Sequence, residues 1–114
     1  MANILILGAG TMGTAFSIPC SDNNHKIFIV GTHLENKFVD QVNFKKKHPI
    51  LNCTIPRNVK FVKLNKLKTI ANGKIDLIAI AVVSKGIEWA SKELSKIIKK
   101  KYPNFDTNKR IRYL

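Results

Sequence analysis

Cysteine, acid and arginine are all scarce in this chain, and each scarcity narrows what it can be. Only Cys20 and Cys53 carry thiols. They stand far apart and form no C-x-x-C pair, so a disulfide or metal site is disfavoured and reduced structural thiols are expected. Acidic residues number 7 against 20 lysines and arginines, a formal net charge of +13. Such an imbalance is compatible with a nucleic-acid partner. Yet Arg57, Arg110 and Arg112 are the only arginines, and recognition surfaces favour arginine for its planar fork. The excess reads instead as lysine, with Ile and Asn, spread over a surface by AT-rich coding. Nucleic-acid binding stays as the lesser alternative. No apolar run approaches the ~20 residues of a membrane span. The apolar start has no basic n-region and runs straight into glycines, unlike a secretory signal. A cytoplasmic protein is expected. The 114 residues hold neither an internal repeat nor a Gly/Ser linker. They suffice for one core but not for a cofactor domain plus a substrate domain.

Apolar residues are arranged in alternating patterns. NILIL (Asn3–Leu7) and KIFIV (Lys26–Val30) are short runs of the kind buried on both faces of a sheet. IDLIAIAVV (Ile75–Val83) is the strongest strand signal, and Asn58–Val62 is a weaker one. Between them the spacing predicts helices. One runs from Thr11 to about Asn24, with Met12, Ala15, Phe16 and Cys20 on its apolar face and a kink at Pro19. A second runs from His33 to about Phe44, with Leu34, Phe38, Val39 and Val42 inward. A short third is marked by Leu64, Leu67 and Ile70. A fourth runs from Ile87 to about Lys100, with Trp89, Ala90, Leu94, Ile97 and Ile98 inward, after a turn at Ser84-Lys85-Gly86. Alternating β and α elements give an α/β fold, a doubly wound parallel sheet with right-handed crossovers.

ILGAGTMGTA (Ile6–Ala15) places glycines 8, 10 and 13 at the spacing G-x-G-x-x-G. The pattern alone is weak. Its position, after a strand and opening a helix in the first βαβ unit, is the setting of a dinucleotide-binding turn. Gly8 allows the tight turn, Gly10 leaves room for a pyrophosphate, and Gly13 lets the helix lie close to the sheet. The free N–H groups of the helix start then face phosphate. The second part of that fingerprint, an acid at the tip of the second strand, is missing at Thr32 and His33; Glu35 is the nearest. Without that carboxylate a 2′-phosphate meets no repulsion, so NADP is at least as plausible as NAD. Thr32 acting only as a helix cap is the alternative.

GAGTMGTAFS, IVGTHLE, HPILN, IPRNVKF and DLIAIAVVSKGIEWA occur in one order from about Asn3 to Lys99. Together they resemble the amino-terminal half of NAD(P)-dependent glycerol-3-phosphate dehydrogenases. The resemblance implies a truncated Rossmann-type sheet of four to five strands, order 3-2-1-4-5. It also implies cofactor contacts from Gly8, Gly10, Thr11, Met12, Gly13, Thr32, His33 and Ser84. Val83 stands where the family commonly has proline. The family's reaction is hydride transfer between NAD or NADP and glycerol 3-phosphate or dihydroxyacetone phosphate. Its substrate-holding lysine, in a Thr-Lys-Gly type motif, and its catalytic base in a second helical domain have no counterpart up to Leu114. Residues 1–114 are therefore expected to form a dinucleotide-binding domain that is incomplete at its C-terminal end. Substrate would be handled only if the missing segments were supplied. A stand-alone nucleotide-binding module is the other alternative. No catalytic or metal residue is assigned: Lys85 reads as a solvated lysine, His48 as a surface histidine, and His25 as remote from the ligand edge. With only Arg110–Leu114 left for a fifth strand, whose alternating Ile111 and Tyr113 fit a partial cover, the edge of Ile75–Val83 is expected to stay open in part and to self-associate.

Overall fold

The computed structural model describes residues 1–101 and 111–114. Five parallel strands form one sheet: β1 (Asn3–Leu7), β2 (Lys26–Val30), β3 (Val59–Val62), β4 (Leu77–Ile80) and β5 (Ile111–Tyr113), in the order β3-β2-β1-β4-β5. Helices α1 (Thr11–Asp22), α2 (Asn36–Lys45), α3 (Leu67–Ala71) and α4 (Ser84–Lys101) connect them, with a 3-10 turn at Leu64–Lys66. This is the expected strand order.

β1 shows why its sequence has no polar residue after Asn3. Side chains alternate across a strand. Ile4 and Ile6 enter a cluster with Ile27, Ile29, Val39, Val42 and Phe61. Leu5 and Leu7 enter the opposite one with Val30, Ile78, Ile80, Ala90 and Leu94. Helices α1 and α2 contribute to the first cluster, α3 and α4 to the second, so both faces of β1 are covered. Each fully buried Leu or Ile contributes about 1.5–3 kcal/mol of transfer free energy.

Four local expectations are corrected. In α1 the inward face is Gly13, Thr14, Ser17 and Ser21. Met12 and Ala15 are exposed, and only Phe16 and Cys20 of the apolar set pack on the core. Small residues win this face because the helix lies very close to the sheet. A Cβ on Gly13 would sit 2.6 Å from the Gly8 carbonyl oxygen and 3.1 Å from Ile6 Cγ2. Helix α2 starts at Asn36, not His33, and Leu34 is exposed. Residues 32–35 turn instead, with Glu35 N–H donating to Thr32 O at 2.9 Å. Strand β4 is shorter than Ile75–Val83, running from Leu77 to Ile80; just before it Asp76 holds the start of β1, its carboxylate accepting from Asn3 N–H at 2.8 Å and its own N–H donating to Asn3 O at 2.8 Å. Ser84-Lys85-Gly86 is the first turn of α4, closed by Gly86 N–H on Val83 O at 2.7 Å.

The expected open edge of β4 is also corrected. β5 pairs with it in register, Ile78 with Ile111, Ala79 with Arg112 and Ile80 with Tyr113. Leu114 N–H extends the ladder to Ile80 O at 2.8 Å. Arg110, which belonged to that expectation, and the side chain of Ile98 lie outside the described residues. Helix α1 runs through Pro19 to Asp22, forgoing the bond its N–H would have made to Ala15.

Candidate functional site at the carboxyl edge of the sheet

In an open parallel sheet the ligand crevice lies beyond the carboxyl ends of the strands, where the strand order reverses. Here that point is between β1 and β4. A cleft of about 610 Å³ opens there, bounded by Gly10 after β1, Thr32–Glu35 after β2, and Ala81–Val83, Lys85, Gly86 and Trp89 after β4.

The glycine turn forms its floor, and its glycines do different jobs. Gly8 has φ +119°, a conformation costly for any side chain, and a Cβ there would lie 2.3 Å from Ala81 O. It is held down by its N–H on Val30 O at 2.8 Å. Gly13 is a packing glycine, as above. Gly10 is different: a Cβ built on it meets nothing within 4 Å. Folding does not require glycine at that position, whereas a ligand lying against the turn would. Gly10 is also the N-cap of α1, with no side-chain cap and no acid in the first turn. The N–H groups of such a helix start have no partner within the helix, and they carry the positive end of its dipole. Thr11 and Met12 stand in this first turn and are exposed.

At the tip of β2, Thr32 and His33 line the cleft with Glu35. The Glu35 carboxylate folds back, and one oxygen, Oε1, accepts from Thr32 N–H at 2.8 Å and from Ala9 N–H at 3.1 Å. It thus ties the strand tip to the glycine turn. His33 stands edge-on to Trp89 of α4, ring centroids 5.2 Å apart, across the mouth of the cleft. Lys85 is exposed at the rim. Ser84 opens α4, and its side chain is outside the described residues. His25 lies at the other end of the sheet, as expected, its Nδ1 accepting from Ala2 N–H at 2.9 Å.

The expectation for His48 is corrected. It is not on the surface but fully buried. Its Nδ1 accepts from Ile50 N–H at 3.2 Å and Leu51 N–H at 3.1 Å. That fixes the remaining proton on Nε2, which points at Ala9 O over a long 3.4 Å. Phe38 packs edge-on against the ring at 5.1 Å. Burial pushes its pKa below the usual histidine value, outweighing the opposing pull of the Ala9 carbonyl. The lysines before His48 suggested a solvated loop. The usable signal was the proline after it, in a segment where the chain must turn back towards the sheet.

The structure therefore gathers Gly10, Thr32 and His33 around one cleft, with Thr11 and Met12 on the adjoining helix start. Gly8 and Gly13 lie beneath and shape it. Glu35, Trp89 and His48 are the members whose roles the sequence did not disclose.

Comparison with known proteins agrees with this geometry. The family described as NAD-dependent glycerol-3-phosphate dehydrogenase N-terminus matches residues 3–112. The glycerol-3-phosphate dehydrogenase [NAD(P)+] of Bacillus pumilus is 32% identical over 113 residues, 97% of this chain and 31% of the relative. That of Exiguobacterium is 29% identical over 100 residues, 86% of this chain and 28% of the relative. The NADP(+)-dependent glycerol-3-phosphate dehydrogenase of Archaeoglobus fulgidus is 25% identical over 111 residues, 92% of this chain and 33% of the relative. The crystal structure of glycerol-3-phosphate dehydrogenase from Coxiella burnetii superposes with a TM-score of 0.69 at 24% identity, over 98% of this chain and 31% of that one, a likeness of fold. The chain thus spans about a third of the length of these relatives. With residues 3–112 matched by the family model, nearly the whole length, the chain belongs to the family of NAD-dependent glycerol-3-phosphate dehydrogenase N-termini.

Proposed function

We propose that residues 1–114 form the dinucleotide-binding domain of an NAD(P)-dependent glycerol-3-phosphate dehydrogenase. The observation that carries the reading is Gly10: an uncapped helix start and an empty Cβ direction, facing a cleft at the reversal of strand order. The N–H groups of the first turn of α1 would hold the pyrophosphate. Thr32 and His33 would meet the adenosine ribose, and the segment containing Ser84 would border the cofactor's other half. The bound nicotinamide supplies or accepts the hydride. The chain's own part is to fix the pyrophosphate and present one ring face to substrate. We assign no catalytic residue. A base must come within hydrogen-bond reach of the substrate hydroxyl; Glu35 already accepts from two backbone N–H groups, and His48 is sealed beneath the turn. Glycerol 3-phosphate or dihydroxyacetone phosphate would then be turned over only together with the segments that complete the relatives. The setting we propose is cytoplasmic, in keeping with two free thiols.

NADP is proposed to bind at least as well as NAD. No carboxylate occupies Thr32 or His33, and one carboxylate oxygen of Glu35 is turned away to two backbone N–H groups. Calorimetric titration with NADH and NADPH tests both statements. Micromolar binding of either supports the domain assignment, and no binding of either refutes it. Thr32→Asp should shift the affinity ratio towards NADH by about tenfold, by bonding the 2′-hydroxyl and repelling a 2′-phosphate. An unchanged ratio would show that Thr32 does not face the ribose.

A further inference from the structure

We infer that His48, in its neutral form, is a positioning residue that holds the glycine turn in its dinucleotide-binding shape. The inference rests on the nucleotide reading above and adds a residue remote from the cleft surface.

Ala9 is the residue between Gly8 and Gly10, and it is fully buried. Its two peptide groups set the direction in which Gly10 presents its backbone. Both are held from outside the turn. The N–H is taken by Glu35 Oε1 at 3.1 Å. The carbonyl faces His48 Nε2 at 3.4 Å and Thr14 Oγ1 at 3.5 Å. His48 is itself anchored at Nδ1 by Ile50 and Leu51 N–H, and through its own N–H on Cys53 O at 3.1 Å. The α2–β3 connection therefore braces the first βα turn through one ring.

Such a brace works in one protonation state. Nδ1 can accept from two N–H groups only while it carries no proton. Protonation would aim a third N–H at them and expel the ring from its seat. Other ionisable groups on the surrounding elements are few. Glu35 of the strand-tip turn reaches the same Ala9 residue, Cys53 lies in the same loop, and Lys47 precedes His48. Among the described residues no carboxylate bonds the ring, and the Ala9 carbonyl alone does not offset the cost of burying its cation. Dinucleotide affinity is expected to fall as pH drops below the ordinary histidine range, because the ring is buried and resists protonation.

Two substitutions separate the two ends of the ring. His48→Asn keeps a short acceptor for Ile50 and Leu51 but cannot reach Ala9. His48→Gln can reach Ala9 but gives up the loop anchor. Chains of residues 1–114 are titrated with NADPH at about pH 7.5 and about pH 5.5, and amide hydrogen exchange is followed at Ala9 and Gly10. His48→Asn should weaken NADPH binding about fivefold, the equivalent of one lost hydrogen bond, and speed exchange at Ala9 and Gly10. His48→Gln should bind within about twofold of wild type at the higher pH, with a lower melting temperature. Its affinity should fall less on acidification than that of wild type. Wild-type affinity and exchange in His48→Asn, or equal pH slopes in wild type and His48→Gln, would overturn the inference. If wild type binds no NADPH, the nucleotide reading fails, and the exchange at Ala9 and Gly10 still decides what His48 does.

Discussion

At Gly10 a few carbon atoms separate folding from binding. Valine there meets no atom near its Cβ, so its cost to the fold is the difference between glycine and valine at a helix N-cap, about 1 kcal/mol. The same side chain would occupy the place proposed for the pyrophosphate. Gly10→Val should keep the circular-dichroism spectrum and nearly the melting temperature of wild type while losing NAD(P)H binding in calorimetry. Retained affinity would put the site elsewhere. The neighbouring glycines give the opposite result. A methyl on Gly13 would press on the Gly8 carbonyl at 2.6 Å, so Gly13→Ala must push α1 away from the sheet. A loss of about 1–3 kcal/mol is expected in denaturant unfolding. Three glycines that look alike in sequence are thus a strained-turn glycine, a ligand glycine and a packing glycine. His48 supplies the pH dependence at this scale. Its pKa is lowered on folding, so the folded chain binds a proton less readily than the unfolded one. Its contribution to stability is fully present above about pH 6.5 and is lost as pH falls below that value towards the folded pKa.

Elements were legible wherever one physical rule acted alone. NILIL and KIFIV gave β1 and β2 residue for residue, because a strand covered on both faces needs unbroken apolar sequence and little else resembles it. The glycine spacing gave the turn and the start of α1 for the same reason. Reading failed where a tertiary contact overrode local pattern. The apolar periodicity of α1 pointed at Met12 and Ala15, but close approach to the sheet selected Gly13, Thr14 and Ser17. Residues 33–35 have helical spacing, yet the Glu35 carboxylate bonds backward to Ala9 and delays α2 to Asn36. No local window contains Ala9 and His48 together, so that contact could not be read. The far end of the sheet shows a similar long-range tie. Asn58 at the entry to β3 accepts from Ser21 Oγ and donates to Ser21 O at 3.1 Å and His25 O at 2.7 Å. It staples the end of α1 and the entry of β2 to the third strand. Asn58→Ala strips three bonds from partly buried groups and should cost about 1–3 kcal/mol in thermal unfolding. A change within error would mean that water replaces the staple without loss.

For the molecule as a whole, the question is how a small parallel sheet closes its two edges. On one side β3 is outermost. Its inward carbonyls, Asn58 O and Val62 O, accept from β2 and the residue after it, while the outward Phe61 O is taken by Asn43 Nδ2 of α2 at 3.1 Å. A side chain thus blunts that edge, and Lys60 beside it adds charge, both of which oppose edge-to-edge pairing. On the other side β4 is among the most buried strands, with Ile78, Ala79 and Ile80 at 3%, 0% and 2% exposure. Among the described residues only β5 pairs with its outer side. β5 is short and half-polar: Ile111 packs on the core, while Arg112 and Tyr113 are exposed. Its value lies in the backbone groups it satisfies more than in the area it buries. Removing Ile111–Leu114 should therefore do two things together. It should lower the melting temperature, since the β4 ladder loses its partner and Ile78 and Ile80 lose their cover. It should also raise the light-scattering mass with protein concentration, as the bare apolar edge pairs with another copy. Arg112→Pro is the finer probe, because it keeps the length and charge balance of the tail nearly intact while preventing β5 from completing the ladder. Association should rise in both variants. A truncated chain that stays monomeric at wild-type stability would show that β5 contributes nothing to closing the sheet.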